Sequence, residues 1–161
     1  MKIKIEAFLY MALFSIIFSA CGKDAASSSI TLLEAAGGYT LNGTSYSVPL
    51  NSNGQEVTSS KTSLQNEKLT VVIGKNDSLY FDSKNLGYAN GKAVISGQII
   101  TVTIANQIYT GINQEPFAEN TIKSEDPVII EKKDGKFSLK GSVFISRGAT
   151  RSRVRFVTDF K

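Results

Sequence analysis

The stretch LTVVIGKNDSLYF, residues 69–81, carries the reading of the fold. Leu69-Thr70-Val71-Val72-Ile73 is rich in β-branched side chains, which are stiff in a helix and pack well on a pleated surface. Leu79-Tyr80-Phe81 is apolar and aromatic, which also suits a strand, and Gly74-Lys75-Asn76-Asp77 between them consists of residues that favour turns. Two such runs around a short polar turn read as a β-hairpin.

Moving outward, the pattern repeats. Toward the N-terminus, YTLNGTSYSV (39–48) holds the clearest local turn signal: Asn42-Gly43 suits the positive φ angles of a type I′ turn, which predicts a hairpin with Tyr39 and Leu41 on one arm and Tyr46 and Val48 on the other. Residues 55–63 are polar and read as a loop or a weak edge strand. Toward the C-terminus, 93–95 and 99–105 are β-branched runs, and Asn106-Gln107 turns into 108–110. Residues 114–126 form the longest candidate loop. Then 128–131 and 137–139 flank Asp134-Gly135, and 142–146 and 153–160 are joined by 147–150. Roughly nine to ten short strands at about 8–12-residue spacing, with no long helix, predict a single all-β antiparallel sandwich or barrel. Periodicity does not choose between the two. No repeat period emerges.

Composition narrows the chemistry. The 161 residues include 18 Lys and Arg against 14 Asp and Glu, one cysteine, no histidine and no tryptophan. A net charge of +4 is too small to suggest a nucleic-acid partner. Without histidine, Ser-His-Asp and Cys-His arrangements are unavailable, and so is the usual acid/base near neutral pH. Zinc, copper and non-haem iron lose their commonest ligand. No glycine-rich loop opens a helix to cradle phosphate. The expectation is a protein without catalytic residues, metal or cofactor; an enzyme built on carboxylates, lysine or tyrosine alone is the distant alternative.

The lone cysteine has an address. Lys2 and Lys4 precede an apolar run from Ala7 to Phe18, and Ser19-Ala20 supplies small residues directly before Cys21. A charged start, an apolar stretch too short to span a bilayer and a small-residue exit are the marks of a secretory leader. Phe18-Ser19-Ala20-Cys21 resembles the lipobox of bacterial lipoproteins, although that class usually has leucine where this chain has Phe18. The resemblance implies that residues 1–20 are cleaved and that Cys21 is acylated. It also implies attachment of the mature chain to a membrane of the cell envelope. Gly22, where the family's inner-membrane retention rule has aspartate, points toward the outer membrane or cell surface.

The leader removes Lys2, Lys4 and Glu6, and leaves 141 residues of charge +3. That is one domain, large enough to bury about 68% of its unfolded surface without disulfides. Residues 21–38 read as the lipidated N-terminus and a flexible tether with a reach of ~20–24 Å, within which 30–36 are either a short helix or extended. Residues 39–161 read as the all-β domain.

One charge pattern stands out. In RSRVRFVTDFK (151–161), alternation places Arg151, Arg153 and Arg155 on one strand face at steps of about 6.6–6.8 Å, opposite Val154, Phe156 and Phe160. Arg147 lies across the same turn. Guanidinium forks suit phosphate, sulfate and carboxylate, so anionic lipid, glycan or acidic protein would be partners. The plainer alternative is a charged edge that discourages aggregation. Glu115 with Glu119, or Glu125 with Asp126, would be the acid/base couple of a glycosidase only if held about 5–10 Å apart across a cleft. Asp77 and Asp82 do not fit a calcium loop. The tyrosines at 39, 46, 80, 88 and 109 read as packing residues rather than a groove. The expected function is therefore non-catalytic: a membrane-anchored surface module, with a small-ligand carrier built as a closed barrel as the alternative.

Overall fold

The computed structural model describes residues 28–84, 87–108 and 120–161. The expected leader, Cys21, Tyr109, Glu115 and Glu119 lie outside the described residues. Within them runs a short helix α1 (Leu32–Ala35), then β1 (Gly37–Thr40), β2 (Tyr46–Leu50), a 3-10 turn (Thr58–Ser60), β3 (Thr62–Ser63), β4 (Lys68–Ile73), β5 (Ser78–Ser83), β6 (Gly87–Ser96), β7 (Ile99–Thr103), β8 (Gln107–Ile108), β9 (Asn120–Lys133), β10 (Lys136–Arg147) and β11 (Thr150–Val157). All pairings are antiparallel, in the order β1-β4-β5-β6-β7-β9-β10-β11-β2-β3, with β8 against β9. The fold is all-β: a single curled sheet forming a half-barrel. β9 and β10, at 14 and 12 residues, are longer than the short strands read from sequence.

The hairpin at 69–81 is present. Leu69 to Ile73 pair with Ser83 to Leu79, and Asn76 and Asp77 adopt φ of 55° and 54° in its turn. Asp134-Gly135 likewise turns β9 into β10 with φ of 51° and 75°. Asn42-Gly43 does not. The positive φ values belong elsewhere, and β1 and β2 never pair with each other. The Asn42 side chain takes over the turn: its Oδ1 accepts from the Thr44 amide (3.0 Å) and hydroxyl (2.7 Å), and its Nδ2 donates to Asp159 (2.8 Å). The backbone around it bonds in both directions, Leu41 N to Glu67 O (2.9 Å) and Asn42 N to Val157 O (2.8 Å). Instead of reversing, the chain passes from one edge of the curled sheet to the other, and Leu41 bridges to Thr158.

The expected loop at 114–126 also differs. Residues 120–126 are the first half of β9, paired with β10 and, at Ile122, with β8. Two register shifts, between Lys140 and Ser142 and between Ser142 and Val143, bend β9 around Glu125–Pro127.

Alternate residues fill the interior. Leu69 and Val71, Leu79 and Phe81, Ile100 and Val102, Val128 and Ile130, Leu139 and Val143, and Val154 and Phe156 are buried together in one core. Each large apolar side chain moved out of water contributes about 1.5–3 kcal/mol. The filling is tight where β10 crosses β11: a Cβ on Gly141 would lie 2.7 Å from Phe156 Cζ and 3.0 Å from Val128 Cγ2.

Residues 28–36, which composition assigned to the tether, pack against the sheet. Ile30 and Ala35 are buried in the core. Thr31 caps α1 in a reciprocal box: its Oγ1 accepts from Glu34 N (3.2 Å), and Glu34 Oε2 accepts from Thr31 N (2.9 Å). Ile30 N donates to Gly97 O (2.9 Å). The Tyr39 hydroxyl donates to Ala35 O (2.7 Å), and burial pushes its pKa up to about 12. Ile30 and Ala35 are apolar enough to close one end of the half-barrel, and the serines just before them are not.

Candidate functional site

The outer face of β9, β10, β11 and β2 carries a groove of about 630 Å³, lined by Tyr46, Asp126, Ile129, Lys140, Arg153 and Arg155 among others. It arises from local sequence. Val154 and Phe156 are buried, so Arg151, Arg153 and Arg155 project outward from β11, as alternation predicts. Leu139 is buried, so Lys140 also projects outward. The kink in β9 brings Glu125 over the same face.

Arg153 occupies the middle of the arginine row and is fully engaged. Its Nε donates to Glu125 Oε2 (2.7 Å), its Nη2 to Glu125 Oε1 (2.5 Å), and its Nη1 to Glu56 Oε1 (2.6 Å). The guanidinium also lies 5.3 Å from the centroid of the Phe144 ring. The Ser142 hydroxyl donates to Glu125 from behind, and the Tyr46 hydroxyl donates to Glu56 (3.3 Å). Arg153 holds the Glu56 carboxyl below its usual value, aided by Tyr46. In turn, Glu125 first and Glu56 second raise the guanidinium above its usual value.

This cluster does structural work. Glu56 sits on the 51–61 segment, which folds back over β2 through Val57 N to Pro49 O (2.9 Å) and the Leu50–Glu56 bridge. Val48 is buried under that cover, outside the main core. Arg153 therefore clasps the cover at one end and the β9 kink at the other.

Arg155 and Lys140 differ. Both are exposed and line the groove, and among the described residues neither takes part in an ion pair. Arg155 stands between Ser142 on β10 and Tyr46 on β2 in register, and Lys140 stands opposite Val157. Tyr46 is flanked by Lys61, whose Nζ lies 3.7 Å from the ring centroid. Asp126 and the Arg153-bound Glu125 are the acidic members of the wall. Two free cations beside an aromatic ring and an aliphatic side chain can hold an anionic group while packing its apolar part.

The remaining sequence candidates separate. Arg151 is exposed and lines a smaller pocket of about 320 Å³ with Leu50, Asn51, Ser52 and Ala149. Arg147 lies across the hairpin from Thr150 and makes an interaction of its own. The four guanidiniums thus form a graded row rather than one cluster. Glu125 and Asp126 do not form a free couple, because Glu125 is bound to Arg153. Tyr80 and Tyr88 stack on the outside of β5 and β6 with centroids 5.0 Å apart, away from the groove, and Tyr39 packs inside. Tyr46, half-buried, lines the groove. Among the described residues no group of three or more acids, histidines or cysteines converges as a metal site. Sequence reasoning missed Lys140 and Glu56. Alternation around Leu139 could have found the first, whereas nothing local marks the second. No known family, curated protein or solved structure matches this chain.

Proposed function

We propose that this protein is a lipid-anchored, extracytoplasmic, non-catalytic binding module that takes an anionic group of its partner between Arg155 and Lys140. The observation that carries the reading is the contrast within the groove: Arg153 is neutralised by two carboxylates, while Arg155 and Lys140 face solvent beside Tyr46. Guanidinium and ammonium together suit a phosphate, sulfate or carboxylate on a surface lipid, glycan or acidic protein. The anchor rests on the leader and Cys21. The alternative, an interior small-ligand carrier, calls for a roomy apolar cavity. It is disfavoured by tight filling at two places. A Cβ on Gly91 would meet Val102 Cγ1 at 2.5 Å, and one on Gly141 would meet Phe156 at 2.7 Å.

Binding of the protein to dextran sulfate, titrated at low and raised salt, tests the site. Affinity should fall with salt and should fall further in Arg155→Ser and Lys140→Ser. Equal losses from Lys133→Ser and Lys136→Ser would show that overall charge, not the groove, is responsible. The mass of the membrane-extracted protein tests the anchor, with residues 21–161 plus acyl chains as the expected species.

A further inference from the structure

We infer that the end of the half-barrel closed by α1 rests on the membrane itself, with Leu33, Ile73, Ile95 and Ile99 against lipid. This rests on the lipid-anchor reading and goes beyond it, because an anchored domain could equally hang free.

Backbone bonds bring these four residues to one end. Gly97 O accepts from Ile30 N (2.9 Å), and Gln98 O accepts from Lys132 N (2.9 Å), so the β6–β7 turn touches both the start of the described chain and the end of β9. Ile95 and Ile99 flank that turn. Asp77 O accepts from Ala93 N (2.8 Å), which sets the β4–β5 turn beside β6 and places Ile73 next to it. Glu34 of α1 is paired with Lys132. Leu33 is 76% exposed, Ile95 43%, Ile99 41% and Ile73 39%. Single exposed apolar residues are ordinary on a soluble surface. Four gathered at one end, on a helix and at two turns, put exposed apolar surface among the charged residues there.

The position of the chain says what covers it. The Ser28 carbonyl accepts a hydrogen bond from the Gln98 side chain, so the segment leading back to Cys21 departs from this same end. Seven residue steps separate Cys21 from Ser28. Fully extended they reach at most about 25 Å. The opposite end lies a 12-residue strand away, about 40 Å along β10 and about 30 Å along the axis at the usual tilt. An anchor at Cys21 therefore keeps the α1 end near the bilayer and the far end off it. Lys75 stands on the β4–β5 turn beside Asp77, and at the same end Lys133 and Lys136 flank the β9–β10 turn at Asp134, near Glu131. Lysine stems lie along apolar surface while their ammonium groups reach headgroups, as in interfacial segments.

The test uses the acylated protein, whose single native cysteine is the anchor, so that an introduced cysteine is unique. Leu33→Cys, Ile95→Cys and, at the opposite end, Ala149→Cys carry an environment-sensitive fluorophore in vesicles of phosphatidylethanolamine and phosphatidylglycerol. Brominated acyl chains serve as quenchers. Labels at 33 and 95 should lie ~5–10 Å into the headgroup boundary and lose fluorescence, while the label at 149 keeps it. Using two labelled positions guards against one variant folding poorly, and circular dichroism checks each. Quenching that is absent, or equal at all three sites, in protein whose mass includes acyl chains overturns the docking alone. Labels at 33 and 95 that are shielded from water yet unquenched mean a protein covers this end, and also overturn it. A mass without acyl chains overturns the anchor and the docking together.

Discussion

Arg153 and Arg155 sit two residues apart on the same face of the same strand, yet the fold uses them in opposite ways. Arg153 meets Glu125 because β9 is kinked there, and it meets Glu56 because the 51–61 segment folds back over β2. Arg155 is placed in register with Ser142 and Tyr46, where no acid reaches it among the described residues. The difference teaches that a row of like charges is not a site by pattern alone. Each charge is assigned by the neighbours that distant segments bring to it.

The largest effect should come from removing the engaged member. Arg153→Ala leaves the Glu56 and Glu125 carboxylates without their cationic partner, and frees the cover over Val48. Stability should fall by about 1–3 kcal/mol, toward the lower part of the range because the three side chains keep roughly a quarter of their surface in water. Urea unfolding reads it, and a loss under about 0.5 kcal/mol would erase the contrast with Arg155.

Arg155→Ser should show the reverse. Stability should stay within about 0.5 kcal/mol of the native protein, as for an ordinary surface change. Affinity for dextran sulfate should drop about tenfold, equivalent to roughly 1.4 kcal/mol. A substitution that costs stability without affinity would mean that Arg155, like its neighbour, is structural.

Acid should sharpen the comparison. Glu56 has its folded-state pKa lowered by Arg153, so its contribution is present above the ordinary carboxylate value of 4.5 and is lost as pH falls through the lowered one. Glu34 behaves likewise, held near 2 first by Lys132 and then by Thr31, so its share disappears between 4.5 and about 2. Unfolding measured down a pH series should therefore fall less steeply below pH 4.5 in Arg153→Ala than in the native protein. Parallel curves would show that Glu56 gains nothing from Arg153.

The smallest effect is the coupling between Glu56 and Arg153. A double-mutant cycle with Glu56→Gln should return about 0.5–1 kcal/mol, diminished by salt, since both side chains are partly solvated. A coupling of zero would make Glu125 the sole partner that matters.

Legibility followed the range of the interactions. Hairpins at 69–81 and around Asp134-Gly135 were readable because the turn residues, the β-branched and aromatic arms and the final pairing are all local. Asn42-Gly43 carried the same signal and failed, because Glu67 and Val157 offer the backbone partners on both sides and the Asn42 side chain satisfies Thr44. The outward direction of Arg151, Arg153 and Arg155 was readable from alternation with Val154 and Phe156. Which of them stays free was not, since Glu56 lies 97 positions from Arg153.

By itself, then, the sequence determined the all-β class, most of the turns and the outward face of β11, all consequences of short-range periodicity and composition. Only the tertiary structure decided the strand order, the passage of the chain from one sheet edge to the other at 41–45, and the use of residues 28–36 to close an end. It also decided the division of labour between Arg153 and Arg155. The physical reason is that strand pairing and ion pairing are chosen by which remote groups can satisfy a backbone or a charge, and no window of neighbouring residues contains that information.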